Sequence, residues 1–237
     1  MEALKSAAQK YSRALVSFSG GKDSLVVLDM SLRTFEHVEA IYMYFVPNLQ
    51  FMDERLAEAS RRFGVKIHQY PSFDFYNQLR AGTYSFEWFE REKLPELHHD
   101  DIYGAAMKEL DFQVLVSGHK QSDFMFRRLN LGRNASNISL LYPIASWSRF
   151  DVLSYLKARD IPVPSGANAL TNSVDLSPIN LLWLYDHFPA DFKRLCEFFP
   201  FAQAVVERRN FYGDFLQRKK RKAAEQVQKI TPKGYLR

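Results

Sequence analysis

The chain has 237 residues, is 46% hydrophobic and carries a net charge of +5, a composition that fits a soluble globular protein of one domain with an appendage. No apolar run approaches the roughly 18 residues that would span a bilayer, and "MEALKSAAQKY" lacks the apolar core of a secretion signal, so a cytoplasmic, membrane-free protein is expected. Its single cysteine, Cys196, excludes an internal disulfide and a cysteine-based four-ligand zinc site; among the apolar neighbours of "LCEFF" it reads as a buried, inert thiol.

The first element is a buried strand, Ala14 to Phe18. Leu25, Val26, Leu28 and Leu32 then recur at helical spacing, which places "SGGKDS", Ser19 to Ser24, at a strand-to-helix turn. Backbone N–H groups in a glycine-rich turn converge at the positive end of a helix dipole, where an anion such as phosphate fits. Ser19 and Ser24 add hydroxyls, and Lys22 adds a mobile charge. The common nucleotide loop G-x-x-x-x-G-K-[ST] is excluded, because it needs glycine where Val16 stands and Ser or Thr where Asp23 stands.

The six residues instead resemble the PP-loop of the ATP pyrophosphatase superfamily, which holds the pyrophosphate end of ATP while the α-phosphate is attacked. That resemblance implies nucleotide contacts from Ser17, Phe18, Ser19, Gly20 and Gly21. Lys22, Asp23 and Ser24 are the expected catalytic residues, with Mg²⁺ held through Asp23.

Further strands are expected at Val38 to Val46, Val65 to Tyr70, Phe112 to Gly118 and Ser139 to Ile144. Helices are expected at Asp53 to Gly64, around Ile102 to Leu110, and from about Arg149 to Ala158. An aromatic-rich stretch from Ser72 to Asp101 intervenes, and its rings between Phe73 and Phe89 read as packing rather than a base-stacking platform. In "HHDD", His98 to Asp101, Asp100 or Asp101 as a helix N-cap is a better reading than a metal site. The alternation predicts an α/β fold, an open and mostly parallel five-stranded twisted sheet with helices on both faces, whose ligand site lies at the carboxyl ends of the strands near the first loop. Tyr44 and Phe45, at the end of the second strand, would face adenine.

Two more segments extend the resemblance to the PAPS reductase-like branch of the superfamily. "GHKQSDFMFR", Gly118 to Arg127, is similar to its glycine, basic, acidic, arginine signature. There Gly118 would let substrate approach and Lys120, Asp123 and Arg127 would line the ligand, with Lys120 where arginine is common, Asp123 where glutamate is common and Phe124 replacing a serine. "YPIASWSRFDVLSYLKARDIPVP", Tyr142 to Pro164, is similar to its proline, tryptophan, Asp-Val and tyrosine segment. Trp147, Val152, Tyr155 and Leu156 also read as ordinary helix core, and Asp151 as a local cap beside Ser148.

The expected organisation is a nucleotide-binding domain over residues 1–165 and a helical extension with a basic tail over 166–237. From Glu207 onward ten basic residues face three acidic ones, a local +7 that leaves −2 for residues 1–206. Phe201, Val205, Tyr212, Phe215 and Leu216 read as the packed face of a helix. Arg218, Lys219, Lys220, Arg221 and Lys222 read as a nucleic-acid contact.

Reductases of this branch attack sulfur with a C-terminal cysteine. Cys196 lies in no such motif, so sulfonucleotide reduction is disfavoured. The expected activity is ATP-dependent adenylation of an acceptor with pyrophosphate release, set in nucleotide or nucleic-acid modification or in sulfur metabolism. The alternative is a regulatory protein that binds nucleotide without turnover. The compatible partners are ATP and Mg²⁺, an acceptor, nucleic acid, an external sulfur donor and a second copy of the chain.

Overall fold

The computed structural model describes residues 2–84, 95–121, 139–163 and 175–213. The chain divides into two compact units, Met1–Val174 and Asp175–Arg237.

In the first unit, after helix α1 (Glu2–Ala8), strands β1 (Arg13–Ser17), β2 (His37–Tyr44), β3 (Ile67–Pro71), β4 (Val114–Val116) and β5 (Ser139–Leu141) form one sheet. Its order is β3-β2-β1-β4-β5, and every pairing is parallel, with Leu15 opposite both Glu39 and Leu115. This is the expected α/β architecture. β1 lies at the centre, and Ala14, Leu15 and Val16 are wholly buried, as a strand covered on both faces requires. The chain winds outward from β1 to β3 and then returns to start β4 on the other side of β1. The loops after β1 and β4 therefore meet at the topological switch point.

Helix α2 (Lys22–Leu32) follows β1 and is buried from Ser24 to Ser31. Periodicity suggested one apolar face. The run is buried all round because α2 packs on the sheet and is covered in turn by the later helix Arg149–Ala158. α3 (Gln50–Phe63) precedes β3 and ends on Gly64, whose φ of 62° is the left-handed cap. The Ser72 to Asp101 stretch holds a helix that its aromatics hid: in α4 (Phe73–Arg80), Ser72 caps by accepting from the Phe75 N–H at 3.0 Å.

Helix α5 (His99–Glu109) starts earlier than its apolar spacing implied, and its N-cap is His98, not Asp100 or Asp101. Asp101 contributes from the third helical position, accepting from the His98 N–H at 2.7 Å. Tyr103, Ala106 and Met107 of α5 pack on Leu15, Ile41 and Leu115. Side-chain alternation turns Ala14 and Val16 to the other sheet face.

Helix α6 (Arg149–Ala158) opens with the expected cap, the Ser148 N–H donating to Asp151 at 2.8 Å and the Asp151 N–H to Ser148 at 3.2 Å. Val152 and Leu156 are core residues. Tyr155 does more than fill space: its hydroxyl donates to Asp29 of α2 at 2.7 Å, and the same carboxylate oxygen accepts from Arg33 and Arg159.

The second unit contains α7 (Pro178–His187), α8 (Pro189–Phe198) and α9 (Gln203–Tyr212). The last helix among its described residues is phased differently from the expectation. Ala202 and Val206 are buried, whereas Phe201 is 37% exposed; a 3-10 turn at Pro200–Ala202 rotates the chain before α9 begins. Phe215, Leu216 and the run Arg218 to Lys222 lie outside the described residues. Among the described residues no helix is long and apolar enough to cross a membrane.

Two predictions follow from side chains that join elements. Tyr155→Phe removes a hydrogen bond to a buried carboxylate and should cost about 1–2 kcal/mol, read as a lower urea midpoint at unchanged slope. At the amino-terminal end of the sheet, Glu39 meets His37 at 3.0 Å and also His68. Burial raises its carboxyl, but the hydrogen bonds and charges of His68 and His37 outweigh burial and hold it below its ordinary value. A depressed folded value contributes stability above the unfolded value of about 4.3 and loses it as pH falls through the folded one. The stability gap between wild type and Glu39→Gln should therefore narrow as pH falls from about 6 to about 3; a constant gap would remove Glu39 from the acid response.

Candidate active site

β1 carries the chain to Ser17, and the Phe18 N–H still pairs with the Ile41 carbonyl at 2.8 Å. The turn that follows needs Gly20 for its φ of 72°; space is not the reason, since a Cβ there meets only the Met52 methyl at 3.9 Å. Gly21 is the N-cap of α2 and brings no side chain to cap it. The first intrahelical bond is Leu25 N–H to Gly21 O at 3.0 Å, so the N–H groups of Lys22, Asp23 and Ser24 precede it, as the leading donors of any helix do. An uncapped helix start of this kind fits an anion.

The loop side chains are more committed than their sequence suggested. Ser19 donates to the Ser24 hydroxyl at 3.3 Å, and Ser24 donates to the Gly21 carbonyl at 2.8 Å. Asp23 lies between two lysines: its Oδ1 accepts from Lys120 Nζ at 2.8 Å and its Oδ2 from Lys22 Nζ at 2.8 Å. Lys22 is therefore not the exposed, mobile charge expected, its side chain being 15% exposed. Lys120 is 3% exposed and its ammonium meets Asp23, because a buried charge requires a partner. Each Asp23 oxygen accepts from one ammonium, so the carboxylate joins the two lysines. Two ammonium groups, those of Lys22 and Lys120, thus meet the Asp23 carboxylate at the helix start.

Gly118 closes the other side. A Cβ there would stand 3.0 Å from the carbonyl carbon and oxygen of Asp23 and 3.3 Å from Ser24 N. Glycine is required by the backbone of α2 rather than by an arriving substrate.

These two loops wall one part of a cavity of about 470 Å³, and its lining includes Ser17, Phe18, Ser19, Asp23, Ser24, Gly118 and Phe45. That size suits a small-molecule ligand. Tyr44 is not among the lining residues; its ring lies 6.4 Å from Phe75, and the neighbouring Tyr42, Met43 and Phe45 face the cavity instead.

Sequence reasoning missed Ser72, Phe73 and Asp74 of the α4 start, His99 and Tyr103 of α5, and Ser117 and His119 after β4, all of which line the cavity. A signal existed for Ser117, which, like Ser17, ends an apolar strand run with a hydroxyl. For the rest, no local pattern points to the cavity. Ser17 Oγ lies 2.7 Å from the Tyr103 hydroxyl. Burial pushes the Tyr103 phenol up to about 12 against the lowering effect of the Ser17 bond, so it stays protonated at neutral pH. Asp123, Phe124 and Arg127 lie outside the described residues.

The sequence profile of the phosphoadenosine phosphosulfate reductase domain matches residues 13–165. Two relatives bear the name sulfate adenylyltransferase subunit 2. The protein from Maricaulis maris (strain MCS10) is 22% identical, aligned over 69% of this chain and 62% of its own length. The one from Mycolicibacterium gilvum (strain PYR-GCK) is 24% identical, over 68% and 60%. The chain thus spans about three fifths of the length of these curated relatives. A structural match is the phosphate complex of phosphoadenylyl-sulfate (PAPS) reductase from Candida auris, at a TM-score of 0.45 and 18% identity, covering 68% of this chain and 80% of that one.

The close approach at Gly118 yields a paired test. Gly118→Ala should lower stability by more than about 1 kcal/mol, since backbone must move to admit the methyl. Gly104→Ala, at a position within α5 where a Cβ meets nothing within 4 Å, should be neutral or stabilise by up to about 1 kcal/mol. Urea unfolding of both variants checks the difference, and equal effects would contradict the tight packing at Gly118.

Proposed function

The chain belongs to the phosphoadenosine phosphosulfate reductase domain family, and from that premise we propose that it is an ATP-dependent adenylating enzyme, which joins the α-phosphate of ATP to an acceptor and releases pyrophosphate. The observation that carries this reading is the start of α2, uncapped by any side chain and flanked by the ammonium groups of Lys22 and Lys120, whose Asp23 and Ser24 line a cavity with partly apolar walls.

In this reading the N–H groups of Lys22, Asp23 and Ser24 receive the pyrophosphate end of the nucleotide. Lys22, adjacent to them, stabilises charge on the departing pyrophosphate, an electrostatic role that needs no protein nucleophile. Lys120 acts from behind, fixing Asp23 and with it the first turn of α2. Phe45 and Met43, which line the cavity at the end of β2, offer the apolar surface for the base. The relatives' name, sulfate adenylyltransferase, is in keeping with adenylyl transfer, and its "subunit 2" supports a partner chain in the working assembly.

Thiol chemistry is disfavoured by Cys196 itself. It is half-buried, and burial raises the thiol against a weaker opposing backbone hydrogen bond at Gln203, which disfavours the thiolate needed for attack.

The test is formation of AMP derivatives and pyrophosphate from ATP with sulfate, tRNA or DNA supplied as acceptor. Lys22→Ala should lower pyrophosphate release about 100-fold while the urea midpoint moves little, because Asp23 keeps Lys120; Cys196→Ala should leave the rate unchanged. Unaltered turnover in Lys22→Ala would remove that residue from the mechanism. ATP binding without any release would favour a regulatory nucleotide-binding protein.

A further inference from the structure

The part of the cavity built by α4 and α5 has a chemistry unlike that of the glycine loop. His99 is the first residue of α5, and its ring lies 4.1 Å from that of Phe73, which begins α4. One helical turn on, Tyr103 lies 6.1 Å from the His99 ring, centroid to centroid, and its hydroxyl meets Ser17 at 2.7 Å. Ser17 stands two residues before Ser19, and all of these residues line the same cavity as the loop.

We infer that the acceptor of the adenylyl group is a protic nucleophile, a hydroxyl or amine, and that His99 takes its proton. This rests on the adenylating reading above. In the step, the acceptor's X–H bond breaks with its proton passing to the basic nitrogen of the His99 imidazole. The freed electron pair forms the X–P bond to the α-phosphorus. The bond from that phosphorus to the bridging oxygen breaks, and the oxygen leaves with its pair on pyrophosphate. Nothing is oxidised or reduced.

Imidazole suits this task because its ordinary titration lies near neutrality. The other candidates suit it less. Tyr103 is held protonated by burial, so it positions through Ser17 and does not accept. Asp23 is committed to Lys22 and Lys120. His119 stacks at 6.0 Å on Tyr142, after β5. An oxyanion such as sulfate has no proton to give up at neutral pH and would gain nothing from His99.

The test uses the full chain with ATP and Mg²⁺ and compares hydroxylamine, a small protic nucleophile, with sulfate, reading pyrophosphate release and, separately, ATP affinity. The expected result is stimulation by hydroxylamine and not by sulfate in wild type. In both His99→Ala and His99→Gln that release falls about 100-fold at unchanged ATP affinity and melting temperature, with partial recovery on adding free imidazole. Stimulation by sulfate instead of hydroxylamine overturns the inference, as does undiminished release in either variant, loss of ATP binding in parallel with rate, or the same loss in His119→Ala with His99→Ala active. The sulfate comparison needs no variant to fold. Wild-type protein that binds ATP yet releases pyrophosphate with neither probe overturns the adenylating reading and this inference together.

Discussion

The site depends on one buried charge. Lys120 has lost nearly all contact with water, and its ammonium meets Asp23 at 2.8 Å. Leaving such a charge without its partner costs several kcal/mol (about 3–5), so the pair fastens the loop after β4 to the first turn of α2 across the switch point of the sheet. Gly118, two residues before Lys120, makes the approach sterically possible by placing no Cβ against the Asp23 carbonyl. Lys22 completes the arrangement on the other carboxylate oxygen. The start of α2 is thereby fixed beside two ammonium groups, with its leading N–H groups uncapped by any side chain of Gly21. A helix start fixed this way needs little reorganisation when an anion arrives, which is the condition under which electrostatic stabilisation is effective.

Much of the scaffold was legible in sequence because it rests on local rules. The apolar run at β1, the caps at Gly64 and Ser148, and strand and helix alternation all follow from short-range sterics and burial. What was not legible depends on contacts between distant residues. The partner of Asp23 lies 97 residues away, and nothing near "GHK" distinguishes a lysine that binds a ligand from one that fastens a helix. The glycine at 118 was expected to clear a substrate and instead clears a backbone. α4 was hidden because Phe73, Phe75 and Tyr76 read as an aromatic cluster before they read as a helix, and no residue of α4 is buried enough to betray a face. In α9 the 3-10 turn shifted the buried positions from Phe201 and Val205 to Ala202 and Val206.

The cavity joins two chemistries on one scaffold. The ends of β1 and β4 provide backbone donors and paired lysines suited to phosphate. The starts of α4 and α5 provide an imidazole, a protonated phenol and aromatic rings. Such a division suits group transfer, in which one substrate is held by charge and the other must be oriented and relieved of a proton. Variation at the helix starts would alter that part of the cavity and leave the glycine loop intact, a separation that loops and helix ends on an α/β sheet permit.

The claim on which all of this rests is that Asp23 and Lys120 act as a unit, and a double-mutant cycle in urea unfolding measures it directly. Asp23→Asn takes the Asp23 charge away from the buried ammonium of Lys120, and Lys120→Met removes that ammonium. The account predicts that the double variant is more stable than Asp23→Asn alone, a coupling of more than about 1 kcal/mol. Losses that add to within about 0.5 kcal/mol would show that the two side chains act independently and would contradict it.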